Sequence, residues 1–178
     1  MGLDKIYGIK KDFPIFNNRE LIYLDSAATS QRPKSVIEAI TNYYENTNAN
    51  VHRGICKLSS ASTDAYENSR EKIAGFIGGK TENTVFTANT TDAINLLSYG
   101  IKCITPKNNI VVSVMEHHSN FVPWQQLCHR TGAELRVVDI DDSGNLDMDQ
   151  LNKLVNSHTR LVALTHASNT LGTIVDVK

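Results

Sequence analysis

The sequence predicts an α/β chain built on a mostly parallel sheet. Three observations carry that reading. From about residue 80, short β-branched runs alternate with helical patterns, the signature of strand–helix–strand units. The runs are apolar nearly throughout, as strands are when helices cover both faces. Polar segments rich in Thr, His and Asn follow successive runs, where an open parallel sheet gathers its ligands. The strands are predicted at Thr84–Thr87, Asn109–Val114, Leu135–Val138 and Arg160–Thr165, with helices at Asp92–Leu97, Val122–Thr131 and Met148–Val155.

Before residue 80 the pattern changes. Val36, Ile37, Ile40, Tyr43 and Tyr44 are spaced as one face of a helix over Lys34–Asn46, and Pro33 suits its first turn. A second helix is predicted over Ser62–Phe76, closed by Gly78-Gly79, since glycine accepts the left-handed C-cap. Asn48–Ser60 shows no period and reads as a polar loop carrying His52-Arg53-Gly54. The organisation expected is residues 1–80 as an N-terminal segment with two helices, and 81–178 as the first half of the sheet-bearing domain.

Composition narrows the function classes. The 178 residues are 40% hydrophobic and 21% charged, ordinary for a soluble globular protein. A net charge of −1 argues against nucleic acid. No run approaches the roughly 18 apolar residues of a membrane span. Met1–Phe16 has no apolar core of a secretory signal, and Met1-Gly2 lacks the Ser or Thr at position 6 that myristoylation wants, because Ile6 stands there. The three cysteines, Cys56, Cys103 and Cys128, form no CxxC pair and fit a reducing cytoplasm. The six histidines fall in no zinc-ligand spacing, so no metal is expected. The sequon Asn89-Thr90-Thr91 is discounted without a secretory signal.

Four segments bear on chemistry. Phe86–Ala93 reads as strand, tight turn and helix start. Its free N–H groups and the Thr90 and Thr91 hydroxyls suit a phosphate, although a threonine or Asp92 serving only as helix cap is the commoner use of such residues. Met115–Asn120 puts His117 and His118 after a strand, where an imidazole can stack on a planar ligand, act as a base, or serve structure alone. Thr165–Thr173 presents Asn169, able to bond a ring oxygen or to do turn chemistry. Asp25–Thr29, with His52-Arg53-Gly54, offers small residues and an arginine that can clamp a carboxylate or be solvated. Together they support a small anionic or planar ligand and go no further.

The strings YLDSAATSQRP (Tyr23–Pro33), NANVHRG (Asn48–Gly54), FTANTTDAINL (Phe86–Leu96), MEHHSNFVPWQ (Met115–Gln125) and THASNTLGTI (Thr165–Ile174) resemble the class V aminotransferase family, and within it the Suf-type (group II) cysteine desulfurases. The resemblance runs from about Asp12 to the last residue. It implies the large domain of a fold type I transferase dependent on pyridoxal 5'-phosphate (PLP), incomplete at its C-terminal end. It implies a homodimeric enzyme that converts L-cysteine to L-alanine and passes persulfide sulfur to a scaffold protein for iron–sulfur cluster assembly. A sibling acting on selenocysteine, such as a selenocysteine lyase, and a non-catalytic binding fragment are the alternatives.

By the same resemblance Thr90 and Thr91 bind the cofactor's phosphate. His117 stacks on its ring and shuttles a proton, and Asn169 bonds its phenolic oxygen. Ala27, His52 and Arg53 belong to a loop at the substrate end and dimer contact. Asn89 stands where the family usually has glycine, and Cys56 where close relatives often carry histidine; Cys56 is not the persulfide cysteine. The family's Ser-x-His-Lys lysine, the Asp that pairs with the pyridine nitrogen, the persulfide cysteine and the arginine that grips the substrate carboxylate all lie beyond the matched segments. The chain alone is therefore expected to be inactive. Thr84–Thr87 is expected to lack a neighbouring strand, and Arg160–Thr165 to present an open apolar edge. The isolated chain is then unstable, or completed by a C-terminal companion chain.

Overall fold

A computed structural model describes residues 8–17 and 19–177; the Met1-Gly2 pair lies outside the described residues. The chain divides into two compact units, Met1–Phe86 and Thr87–Lys178.

In the first unit, helix α1 covers Lys34–Asn42 behind Pro33 and widens into a π turn over Tyr43–Thr47, so the predicted helix ends in a wider turn. Its apolar stripe of Val36, Ile37, Ile40 and Tyr44 is exposed. Helix α2 runs over Lys57–Phe76 and begins earlier than the predicted Ser62. The reason lies in its inward face. Ser59 and Ser62 are each 2% exposed, and their hydroxyls donate to the carbonyls of Asn50 and Thr47. A helix seated by small hydroxyls has no apolar period to read. Its end is as expected: Gly78 takes φ 71°, its N–H reaches Gly75 O (3.2 Å), and the Gly79 N–H reaches Ala74 O (2.8 Å).

Gly54 lies against the start of α2. A Cβ there would overlap Ser59 Oγ and Ser59 Cβ. Gly54→Ala is expected to force Ser59 off Asn50 and to destabilise by about 1–3 kcal/mol, as overpacking does. A urea midpoint unchanged from wild type would contradict it.

The second unit holds α3 (Thr90–Gly100), β1 (Asn109–Ser113), α4 (His118–Thr131), β2 (Glu134–Val138), α5 (Met148–Leu154) and β3 (Thr159–Ala163). The strands form one sheet in the order β2-β1-β3, and both pairings are parallel. Successive side chains of β1 face opposite ways. Ile110 and Val112 pack with Trp124, Leu127 and Cys128 of α4, while Val111 packs with Val138, Leu146 and Val175, joined by Leu151 and Leu154 of α5. The sheet is thus covered by helices on both faces. The connection from β1 leads to one neighbour, and the chain then returns past β1 to the other. That reversal opens a crevice at the C-terminal ends of β1 and β3.

Three expectations need correction. Every residue of β1 is buried, but β3 is not apolar on both faces: Arg160 is exposed and Val162 is 45% exposed. An edge strand with one covered face reads as alternation. Thr84–Thr87 is not a strand. Thr84 has extended angles (φ −103°, ψ 121°), and, as expected, the segment has no ladder partner among the described residues. β-branched residues favour extended backbone, but a strand also needs a neighbour. Helices α3 and α4 both start earlier than predicted, because their first turns are polar and capped by side chains.

The turn after β2 is held by Asp141, whose carboxylate accepts the N–H groups of Ser143 (2.8 Å) and Asn145 (2.9 Å). These bonds, that of the Asn145 N–H foremost, hold its carboxyl below the ordinary carboxylate range. Cys56, Cys103 and Cys128 are free, and burial pushes the Cys128 thiol up. No helix among the described residues is long and apolar enough to cross a membrane.

Candidate functional site

The start of α3 is capped by Asn89, not by a threonine or Asp92. Its side chain accepts the Asp92 N–H at 2.8 Å. Asn89 has φ −169° and ψ 175°, extended backbone that any residue adopts, so asparagine sits there without strain. The Asp92 carboxylate turns back to accept the Ala88 N–H at 3.4 Å. The N–H groups and hydroxyls of Thr90 and Thr91 are left without a hydrogen-bond partner among the described residues. The positive end of the helix dipole adds to this set of donors.

His117 follows β1 and caps α4 with its ring: Nδ1 accepts the Ser119 N–H at 3.1 Å and meets Ser119 Oγ at 2.7 Å. With Nδ1 accepting, the ring proton sits on Nε2. The structural and the functional uses of this histidine coincide, since the cap fixes the ring's orientation. A cleft of about 360 Å³ is lined by Thr91, Asn95, His117, His118, Val122 and Pro123, among others. It brings together two residues singled out in the sequence, Thr91 and His117. His118, named beside His117 in the sequence, lines it too, and Asn95 is an addition. Asn95 could have been found from its spacing, one helical turn beyond Thr91, whose carbonyl its Nδ2 meets at 2.9 Å.

Asn169 sits on a small hairpin after β3, closed by the Ala167↔Ile174 bridge. Ser168 Oγ accepts the Thr170 and Leu171 N–H groups, and Gly172 turns the chain at φ 75°. Turn chemistry therefore does operate here, and it presents Asn169 exposed, its Nδ2 only 3.4 Å from Thr170 Oγ1. Asn169 does not line the cleft.

In the first unit, Ala27 is an exposed turn residue; the Ala28 N–H closes that turn on Asp25 O (3.2 Å). His52 has φ 68°, uncommon for a non-glycine residue. Its N–H donates to Thr63 Oγ1 (2.9 Å), its Nε2 meets Glu67 Oε1 (2.7 Å), and its ring stands nearly perpendicular to that of Tyr66, centroids 5.3 Å apart. Arg70 bonds the other oxygen of Glu67 through Nε (3.0 Å). Arg70 first, then His52, hold the Glu67 carboxyl below its ordinary value. Glu67 was not legible as a site residue, because a lone Glu on a helix reads as a solvated face. Arg53 is exposed and has no partner among the described residues. No cluster of three or more His, Cys, Asp or Glu among the described residues could hold a metal.

A parallel sheet covered by helices on both faces is the architecture of the large domain of fold type I PLP-dependent transferases. The class-V aminotransferase family profile matches residues 22–178, and the chain belongs to that family. It is 44% identical to a cysteine desulfurase of Synechococcus elongatus, covering 100% of this chain and 29% of that protein. It is 47% identical to a probable cysteine desulfurase of Halalkalibacterium halodurans, covering 96% of this chain and 44% of that protein. Among solved structures, the apo cysteine desulfurase of Thermococcus onnurineus superimposes with a TM-score of 0.90 at 43% identity, over 96% of this chain and 42% of that one. A cysteine desulfurase of Escherichia coli gives 0.82 at 33% identity, over 96% and 43%. The chain thus spans less than half the length of these relatives.

Proposed function

We propose that this chain forms the N-terminal, cofactor-holding part of a Suf-type cysteine desulfurase, which takes L-cysteine to L-alanine and an enzyme-bound persulfide for iron–sulfur cluster assembly. The observation that carries the reading is the cleft shared by Thr91 and His117. Its donors fit PLP: unpartnered N–H and hydroxyl groups suit a phosphate, and a ring of fixed orientation suits a planar heterocycle. The cofactor, when bound, supplies an electron sink.

The chain's own residues hold and orient. Thr90 and Thr91 grip the phosphate through N–H and hydroxyl groups. His117 lies against the ring face and carries a proton at Nε2. Asn169 donates from Nδ2 to the ring oxygen. In the homodimer Ala27, His52 and Arg53 belong to the loop that serves the substrate end and the dimer contact. The enzyme works in the cytoplasm and hands its sulfur to a scaffold protein. No Ser-x-His-Lys motif occurs in residues 1–178, so this stretch alone does no turnover.

The test is alanine formation from L-cysteine and PLP. The full protein is expected to form alanine, and residues 1–178 alone are expected to form none. Absence of alanine with the full protein overturns the desulfurase reading. Alanine from residues 1–178 alone overturns the division of labour.

A further inference from the structure

Glu116 lies between the end of β1 and His117. Its Oε1 accepts from Ser113 Oγ (2.6 Å) and from the Thr165 N–H (2.8 Å), and its Oε2 accepts from Asn120 Nδ2 (2.7 Å). Asn120 Oδ1 in turn accepts from Nε1 of buried Trp124 at 3.0 Å. One carboxylate thereby joins the end of β1, the first turn of α4 and the segment that leads from β3 into the Asn169 hairpin. No Lys, Arg or His ion pair with Glu116 exists among the described residues, and three donors hold its charge instead. Only a carboxylate offers enough lone pairs in one plane to serve all three at once.

We propose that Glu116 is a positioning residue. It locks the loop carrying His117 and the hairpin carrying Asn169 into one arrangement, so that the ring face and the ring oxygen of a planar cofactor are met together. The proposal rests on the cofactor reading above. It also accounts for how Asn169 serves a cofactor without lining the cleft: its hairpin is tethered, through Thr165, to the residue next to His117.

A reciprocal exchange in the full protein tests this. Glu116→Gln keeps one oxygen for Ser113 and Thr165. It turns an amide N–H group toward Asn120 Nδ2, whose own oxygen is already held by Trp124. Adding Asn120→Asp supplies acceptors for both the new amide and the Trp124 N–H. Three readouts are compared: PLP affinity by fluorescence titration, the ring ¹⁵N signals of His117, and the melting temperature without cofactor.

Glu116→Gln is expected to weaken PLP binding about tenfold, the scale of one unmade bond to a charged group. It is also expected to shift the His117 signals and, because the same bond is lost without cofactor, to lower the cofactor-free melting temperature by a few degrees, which the second substitution restores. The added Asn120→Asp is expected to restore affinity and signals together. Wild-type affinity and signals in Glu116→Gln overturn the proposal, as does a double variant no better than the single one. If the wild-type protein fails to bind PLP, the cofactor reading falls. The cofactor-free His117 signals then decide the positioning role: shift and rescue support it, and no shift overturns it.

Discussion

His117→Ala is expected to slow cysteine turnover in the full protein by about 10²- to 10⁴-fold, the range for losing a positioned acid–base group. Alanine also removes the cap of α4, which alone costs about 1 kcal/mol, so the variant confounds chemistry with folding. His117→Asn separates them. Asparagine is a good cap and can accept the Ser119 N–H that Nδ1 now accepts at 3.1 Å, but it brings no imidazole. Stability close to wild type with turnover still lost is the expected pair of results. If His117→Asn turns over at the wild-type rate, the ring has no chemical role.

Trp124→Ala is expected to cost about 3–5 kcal/mol, a large part of the roughly 5–15 kcal/mol that holds a typical domain. Trp124 is 3% exposed and packs with Ile110, Val112 and Leu127 between α4 and the sheet. Its Nε1 also anchors Asn120, so the loss reaches Glu116 and the site loops. Trp124→Phe is expected to retain most of the packing while breaking that anchor. Urea unfolding of both variants checks this, and a Trp124→Ala loss below about 1 kcal/mol would place the core elsewhere.

Much of the fold was legible because it rests on side-chain hydrophobicity. β1, β2 and α5 were found within a residue or two, since Ile110–Val112, Leu135–Val138, and Leu151 with Leu154 carry an apolar pattern of their own. The hidden parts rest on polar contacts. The first turns of α2 are seated by Ser59 and Ser62, and α4 begins under the His117 ring, neither of which leaves an apolar period. Thr84–Thr87 has strand composition without a strand's neighbour.

The site divides in the same way. Thr91 and His117 were recognisable because they follow apolar runs, and the structure places them on one cleft. Glu116 and Glu67 were not recognisable. Each acts through partners far along the chain, Thr165 for one and His52 for the other, and such pairings exist only once the chain is folded.

The most direct test is a crystal structure of the full protein with PLP. The phosphate is expected at the start of α3, accepting from the N–H and hydroxyl groups of Thr90 and Thr91. The ring is expected against His117, with Nδ1 still on Ser119. A phosphate bound away from α3, or a ring that does not touch His117, would contradict the account.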